Sequence, residues 1–271
     1  MIIDKEGLRL YSSEKSKIHA ASIWKFSDDT KDELMHYELQ ELTIDSTDCI
    51  ENFSVFKEIK TLVRLYIRYD YKKIIDISFV NDLPNLKDLG VPRFTGKITN
   101  KNIIELGYKW YKKSDISQCI NVEKLDVHNC GDIESFMQQI AGFPKLNKLF
   151  FFRMSANLLP KNKFCTPVKE LEFSYCSKLE DISELSSNFP NVTHLKFDHC
   201  KNIQNYSPLA KLHNLQELVI LDSALITDLA FLKELKNLSL LKVGKTKITA
   251  KNVEVLNEIS AKIDLLFTGL K

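Results

Sequence analysis

Apolar residues recur at a regular spacing between Val192 and Asn237. Two successive copies of the pattern are Val192, Leu195, Phe197, Cys200, Ile203 and Leu209, and then Leu215, Leu218, Ile220, Ser223, Ile226 and Leu232. Residues two apart in a strand point to the same side of it, so Leu195 and Phe197 predict the buried pair of a short strand. The apolar residues further along predict a return segment that covers this pair. One such coil cannot bury its own edges, so the pattern predicts a stack of coils.

The same spacing occupies most of the chain. The copies begin at Leu39, Leu62, Leu86, Val122, Leu146, Val168, Val192, Leu215 and Leu238, and a closing remnant contains Lys262, Leu265 and Phe267. This L-x-x-L-x-L-x-x-C/N-x-L spacing resembles a leucine-rich repeat. The resemblance implies an α/β solenoid over residues 39–271, of about nine to ten coils, with a curved parallel β-sheet on the concave face and short helices and turns on the convex face.

Residues 1–38 do not follow the repeat. Ile2–Ile3 and Leu8–Tyr11 predict a hairpin, and Ile23–Phe26 predicts another short strand. A solenoid needs a cover over its first exposed coil, so we expect this segment to be an N-terminal cap.

One gap between copies is longer than the others. Successive copies start 22 to 24 residues apart, but 36 residues separate Leu86 from Val122. Segment 98–106 inside this gap resembles segment 248–256, and both predict an amphipathic helix. We therefore expect an insertion at residues 95–121 that contains a helix.

Composition narrows the class of protein. The 271 residues include 38 Lys+Arg and 36 Asp+Glu, a net charge of +2, which does not require a strongly charged partner. The first twenty residues contain no apolar signal segment, and no run approaches the roughly 20 apolar residues of a membrane span. We therefore expect a cytoplasmic protein without membrane contact. Cys130, Cys176 and Cys200 occupy the same place in their coils, which favours buried, stacked thiols over disulfides or metal ligands because no C-x-x-C pair occurs.

No residue pattern predicts catalysis. The sequence lacks G-x-S-x-G, a glycine-rich phosphate loop and H-E-x-x-H. His194 and His199 share a predicted strand with Asp198, and His128 lies near Asp126; solvent-facing polar positions are the simpler interpretation. We expect a protein that is not an enzyme and has no metal and no cofactor.

The residues that alternate with the buried pairs face the concave side and form the candidate binding site. They include exposed aromatic side chains next to arginines, the composition of interface hot spots. The predicted partner-binding residues are Tyr66, Arg68, Tyr69, Arg93, Asp126, His128, Phe150, Phe152, Arg153, Glu172, Tyr175, Lys196, Asp198, His199, Leu221 and Asp222.

Nucleic acid is a weaker prediction for the partner than protein. Acids and bases balance on the predicted concave face, whereas nucleic-acid binding requires many uncompensated cations. Segment 108–113 alternates aromatic residues with lysines, a composition that also occurs in RNA-binding proteins. The helical spacing of Trp110 from Ile103 and Leu106 favours packing of the ring instead.

The resemblance to leucine-rich repeat proteins implies a protein-binding module, since members of this family overwhelmingly bind proteins. Compact chains of this kind also look like bacterial immunity proteins, which hold a cognate toxin, often a nuclease, and neutralise it. Inhibitors of basic nucleases are often acidic, and this chain is nearly neutral, so the toxin's activity stays open. The alternatives are an adaptor or scaffold, a secreted effector, and an RNA-associated protein.

Overall fold

The structure, a computed structural model, describes residues 2–14, 17–45, 50–161, 164, 166–259 and 262–266. The chain forms two compact units, Met1–Glu123 (unit 1) and Lys124–Lys271 (unit 2). Phe267 of the closing remnant lies outside the described residues, as do Cys49 and Cys165.

Unit 1 consists mainly of short strands. Its strands are β1 (Ile2–Lys5), β2 (Leu8–Glu14), β3 (Lys17–Ile23), β4 (Glu41–Ile44), β5 (Arg64–Ile67), β6 (Ile75–Asp76), β7 (Asp88–Val91), β8 (Phe94–Lys97), β9 (Glu105–Lys109) and β10 (Ser114–Asp115), and its helix is α1 (Asp28–Met35). The main sheet runs in the order β1-β2-β3-β4-β5-β7-β9, and β10-β8-β6 form a second, parallel sheet. Ser27 caps α1, because its side chain accepts a hydrogen bond from the Thr30 N–H.

The predicted hairpin is present at the start of unit 1. β1 and β2 are antiparallel, with Ile3 opposite Leu10. The next strand ends at Ile23, and its Ala21 lies opposite Leu42 in a parallel pair, so parallel stacking begins within residues 1–38. We propose that the antiparallel β1–β2 hairpin is the cap of the stack.

The predicted helix in the long gap is wrong. Leu106 lies on strand β9, opposite Leu89, only 17 residues away in sequence. The gap therefore contains two short coils instead of one coil with an inserted helix. The Asn100 side chain accepts a hydrogen bond from the Asn102 N–H and donates to the Val80 and Leu83 carbonyls, which holds a turn where a helix would begin.

The related segment near the C-terminus does form the predicted helix. Its residue at the position of Asn100 is Ala250, which is a strong helix former and cannot compete for backbone hydrogen bonds. The exchange of Asn100 for Ala250 is thus one difference between the two segments that favours a turn in the first and a helix in the second.

Unit 2 contains a parallel sheet with a strand from each coil. Its strands are β11 (Lys124–His128), β12 (Lys148–Phe152), β13 (Glu170–Ser174), β14 (His194–Asp198), β15 (Glu217–Leu221), β16 (Leu240–Gly244) and β17 (Lys262–Leu266), and its helices are α2 (Ile133–Ile140), α3 (Leu185–Asn188) and α4 (Ala250–Glu258). Neighbours in this list pair in parallel without a register shift. No helix in the described ranges combines the length and apolar character needed to cross a bilayer.

The predicted buried pairs are confirmed in β11 to β16. The first members form one buried row, Leu125, Leu149, Leu171, Leu195, Leu218 and Leu241, and the second members form another, Val127, Phe151, Phe173, Phe197, Ile220 and Val243. Phe173 stacks between Phe151 and Phe197, with ring centroids 5.2 and 5.5 Å apart and rings within 9° of parallel. The phenylalanines therefore lock neighbouring coils together through the core.

The predicted burial of the repeat cysteines is also confirmed. Cys130, Cys176 and Cys200 are free and fully buried. The Cys176 thiol donates to the Phe151 carbonyl at 3.6 Å, and the Cys200 thiol donates to the Phe173 carbonyl at 3.4 Å. These two thiols thus bond a carbonyl of the preceding coil, whereas the Cys130 thiol donates to the Asp132 carbonyl of its own coil at 3.6 Å.

Candidate functional site

The side of the unit 2 sheet opposite the buried pairs, called the open face below, carries side chains in rows because the strands are in register. Its first row is Lys124, Lys148, Glu170, His194, Glu217 and Leu240. Its second row is Asp126, Phe150, Glu172, Lys196, Val219 and Lys242. Its third row is His128, Phe152, Ser174, Asp198, Leu221 and Gly244.

A fourth row follows the strand ends and has an unusual backbone. Asn129, Arg153, Tyr175, His199, Asp222 and Lys245 all have φ between 46° and 57°. This left-handed conformation costs a non-glycine residue on the order of 1 kcal/mol. The N–H groups of Arg153, Tyr175 and His199 each donate to a carbonyl of the next coil, at 2.9, 2.8 and 3.0 Å. These bonds hold the row in place against the strain.

The structure brings the unit 2 members of the predicted site together on three of these rows. Asp126, Phe150, Glu172 and Lys196 lie in the second row, His128, Phe152, Asp198 and Leu221 in the third, and Arg153, Tyr175, His199 and Asp222 in the fourth. Tyr175 is the most exposed of the aromatic members, at 45% of its surface, and Phe150 and Phe152 are half-buried. The phenylalanines on either side of buried Phe151 therefore face outward.

Five aromatic side chains touch one another across the open face, and we call them the aromatic strip: His128, Phe150, Phe152, Tyr175 and His199. The Phe152 ring lies 5.1 Å from His128, 6.2 Å from Phe150 and 5.5 Å from Tyr175. Tyr175 stacks on His199 at 4.3 Å. The strip crosses four coils and presents flat apolar surface beside polar groups.

A cation extends the aromatic strip at its edge. The Arg153 guanidinium carbon lies 5.1 Å from the centre of the Phe152 ring. A cation over an aromatic face is attracted by the ring electrons, so this contact holds the exposed arginine beside the strip.

Charged residues beside the strip largely pair with one another. Lys196 Nζ lies 2.8 Å from Glu172 Oε1 and 3.7 Å from Asp198 Oδ2, and Lys148 Nζ lies 2.8 Å from Glu170 Oε2. Burial alone would lower the pKa of Lys196, but the two carboxylates outweigh it and raise the pKa above its ordinary value. These pairs leave the middle of the open face nearly neutral.

Asp198, His199 and Asp222 form the group among the described residues whose geometry is closest to a metal site. Their potential ligand atoms lie within 4.8 Å of one another. His199 Nδ1 is already 2.6 Å from Asp198 Oδ1, and Lys196 and Lys245 place ammonium groups 3.7 and 3.8 Å from the two carboxylates. The lysines supply the positive charge that a metal would otherwise bring.

Two depressions lie on unit 2. The strand groove, of about 320 Å³, lies over the first two rows, between Lys124 and Val219. The loop pocket, of about 460 Å³, lies beyond the ends of β12, β13 and β14, between Arg153 and Lys201. Phe150 lies in the strand groove, while Arg153, Tyr175 and His199 line the loop pocket.

The predicted residues of unit 1 form a smaller group. Tyr66 and Tyr69 contact each other edge to face at 5.4 Å. Gly90 makes room for Tyr66, because a Cβ there would lie 2.4 Å from the tyrosine ring. Arg68 makes a bidentate pair with Asp70 at 2.8 and 2.9 Å, and the guanidinium holds the pKa of that carboxyl below its usual value.

Arg93 is positioned differently from the other predicted residues. It lies in the turn between β7 and β8, beyond the strand that faces Tyr66. Its guanidinium donates to the Lys72 carbonyl at 3.2 Å. This contact ties two loops together, so the side chain has a structural partner in its own unit.

Sequence reasoning predicted Arg153, Tyr175 and His199 but missed the other residues that line the loop pocket, namely Met154, Ser155, Ser177, Lys178 and Lys201. Lys178 and Lys201 follow Cys176 and Cys200 by two residues and one residue. A basic residue shortly after the repeat cysteine is the signal that could have identified them.

The chain was compared with known protein families, protein sequences and solved structures. A scan of protein-family models and a search of curated protein sequences gave no match. Among solved structures, an internalin (inlF) from Listeria monocytogenes matches with a TM-score of 0.55 and 17% identity, over 94% of this chain and 82% of that one. The functional domain of InlJ from Listeria monocytogenes, which includes a cysteine ladder, matches with a TM-score of 0.48 and 13% identity, over 78% of this chain and 45% of that one. The Drosophila Toll–Spatzle complex matches with a TM-score of 0.45 and 11% identity, over 86% of this chain and 41% of that one.

The class that the fold defines is the leucine-rich repeat solenoid. The parallel register of the strands, the two buried rows and the likeness to the internalin agree on this architecture. The predicted fold class is therefore confirmed.

Proposed function

We propose that this protein is a non-enzymatic protein-binding module that uses the open face of unit 2. The observation that carries the proposal is the aromatic strip. Outward-facing rings beside Arg153 have the composition of interface hot spots, and contiguous exposed aromatic surface is uncommon where no partner covers it.

Paired charges around the strip favour selectivity for a protein partner. Glu172 on β13 lies opposite Lys196 on β14, and Asp198 follows two residues along β14, so the sign of charge alternates between these three side chains. A partner with the matching order of charges gains contacts, and one with the opposite order meets like charges.

RNA is a weaker candidate for the partner than protein, because a ring of the segment that alternates aromatic residues with lysines is buried. Tyr108 is only 1% exposed and packs in the core of unit 1 against Phe94, so its ring is not available to stack on a base. Within the alternating segment 108–113, the exposed lysines are then an ordinary solvated surface.

We further propose that the partner is a bacterial toxin and that this chain is its immunity protein. The support is the resemblance described above: a compact repeat chain whose open face holds a protein surface. Such a chain neutralises a toxin by covering its active site or substrate groove. The immunity function can be tested, and can fail, independently of the proposal that the open face binds a protein.

The test begins with capture of the partner on the immobilised full chain and its production as a recombinant protein. Calorimetry then compares Phe152→Ala with wild type. Removal of the central ring of the strip should weaken binding more than tenfold, about 1.4 kcal/mol, with a nearly unchanged melting temperature. The matched control is Leu158→Ala, which truncates an exposed apolar residue of unit 2 outside the open face and should leave the affinity unchanged.

Two outcomes would contradict the proposal at different levels. Wild-type affinity in both Phe152→Ala and Arg153→Ala would exclude the strip as the binding site. Expression of the partner alone should arrest cell growth, and co-expression of this chain should restore it. A partner that is harmless when expressed alone would exclude the immunity function and favour an adaptor.

A further inference from the structure

The loop pocket is built from a rigid part of the fold. Arg153, Tyr175 and His199 occupy equivalent places in three successive coils, with φ of 54°, 55° and 55°. Their N–H groups are bonded to the following coil, and buried Met154 also lines the pocket. The side chains at the rim therefore project from a fixed backbone.

The charge of the loop pocket differs from that of the rest of the open face. No Asp or Glu is among its lining residues, which include Arg153, Lys178, His199 and Lys201. Across the described part of the chain, no carboxylate forms an ion pair with Arg153, Lys178 or Lys201. By contrast, Lys196 contacts two carboxylates. Three exposed, uncompensated cations around one depression favour an anionic ligand.

Aromatic surface adjoins this positive charge. Tyr175 lines the pocket and contacts Phe152 of the aromatic strip at 5.5 Å. Arg153 also belongs to both features, since it lines the pocket and lies over the Phe152 ring. A ligand that fills the pocket and continues along the sheet would thus meet cations first and rings next.

The positive region is short. Asp198 and Asp222 flank His199 at 2.6 and 3.8 Å, and they would repel a chain of phosphates that extended past the pocket. Nucleic-acid affinity comes from many phosphate contacts, and three cations supply few. One to three carboxylates fit this arrangement better.

We propose that the loop pocket binds a short acidic segment of the protein partner, in which aspartate or glutamate residues lie next to an aromatic or large aliphatic residue. The carboxylates contact Arg153, Lys178 and Lys201, and the apolar side chain packs against Tyr175 and Phe152. This inference rests on the proposed function, because it specifies the chemistry of the partner at one end of the same open face.

The experiment measures binding of a fluorescein-labelled, C-terminally amidated peptide of three glutamates and one phenylalanine to the full chain by fluorescence anisotropy. The double variant Lys178→Gln, Lys201→Gln should weaken binding at least tenfold. The matched control Lys145→Gln, Lys211→Gln removes the same charge from exposed positions of unit 2 that do not line the pocket, and it should bind as wild type does. Added salt should weaken binding, and a peptide with glutamine in place of glutamate should not bind.

Equal affinity of the two double variants for the peptide would overturn the inference. Tighter binding of a short oligouridylate than of the peptide, with the same dependence on Lys178 and Lys201, would also overturn it and indicate a nucleic-acid site. The captured partner separates the two proposals: loss of its binding in Phe152→Ala but not in the Lys178, Lys201 variant would leave the protein-binding function standing and exclude the acidic segment.

Discussion

The stacked phenylalanines allow a quantitative test of the fold. Phe173→Ala removes a fully buried ring that stacks on Phe151 at 5.2 Å and on Phe197 at 5.5 Å. Truncation of a buried phenylalanine costs about 3–5 kcal/mol of unfolding free energy. Each aromatic pair contributes about 0.5–1.5 kcal/mol beyond burial, and two pairs are lost here. We therefore expect a loss in the upper half of the range, about 4–5 kcal/mol.

Urea unfolding followed by far-UV circular dichroism measures this loss. Tryptophan fluorescence is unsuitable, because Trp24 and Trp110 both lie in unit 1. The matched control is Phe150→Ala, which truncates the same residue type on the open face of the neighbouring strand and should cost about 1 kcal/mol or less. Similar losses in the two variants, or a loss below about 1.5 kcal/mol in Phe173→Ala, would refute the stacked core.

Two further predictions concern buried groups. Burial raises the pKa of Cys119 and Cys130 to about 12, so near pH 8 these thiols stay protonated. In a variant with Cys49 and Cys165 changed to serine, the four remaining thiols, which include Cys176 and Cys200, are all fully buried. A thiol-specific disulfide reagent should therefore not react with the native protein; rapid modification would contradict the burial. Asn188→Ala should cost about 1–3 kcal/mol in urea unfolding, because the buried amide donates to the Pro160 carbonyl at 2.9 Å. The exposed counterpart, Asn214→Ala, should cost less than Asn188→Ala, and equal losses would contradict this role for the buried amide.

The rows of the open face could be predicted from the sequence because two regularities act together, namely the alternation of side chains along a strand and the length of the repeat. Alternation along a strand separates the outward Phe150 and Phe152 from the inward Phe151. The repeat then sets which residues of neighbouring strands are opposite each other, such as Glu172 and Lys196, which are 24 residues apart. Ion pairs across coils follow from this register, and they account for the neutrality of the middle of the face.

Features in the turns could not be predicted in the same way. The left-handed residues follow the strand ends, where the alternation of side chains along a strand no longer applies, and Lys178 and Lys201 lie beyond them. The turn at Asn100 is similar, since its outcome depends on whether a side chain can reach the Val80 and Leu83 carbonyls. Such bonds depend on distances between coils, and the spacing of apolar residues in the sequence does not predict those distances.

The left-handed backbone of the fourth row has a consequence for which substitutions the scaffold accepts during evolution. At Arg153, Tyr175 and His199 the bond to the next coil comes from the backbone N–H, so an unbranched side chain other than proline there leaves that bond and the interior in place. Glycine at these positions would relieve the strain of the left-handed backbone, but it would also remove the side chain that contacts a partner. Under the proposed function, exchanges along this edge would therefore redirect the scaffold to a different target while its folding is preserved.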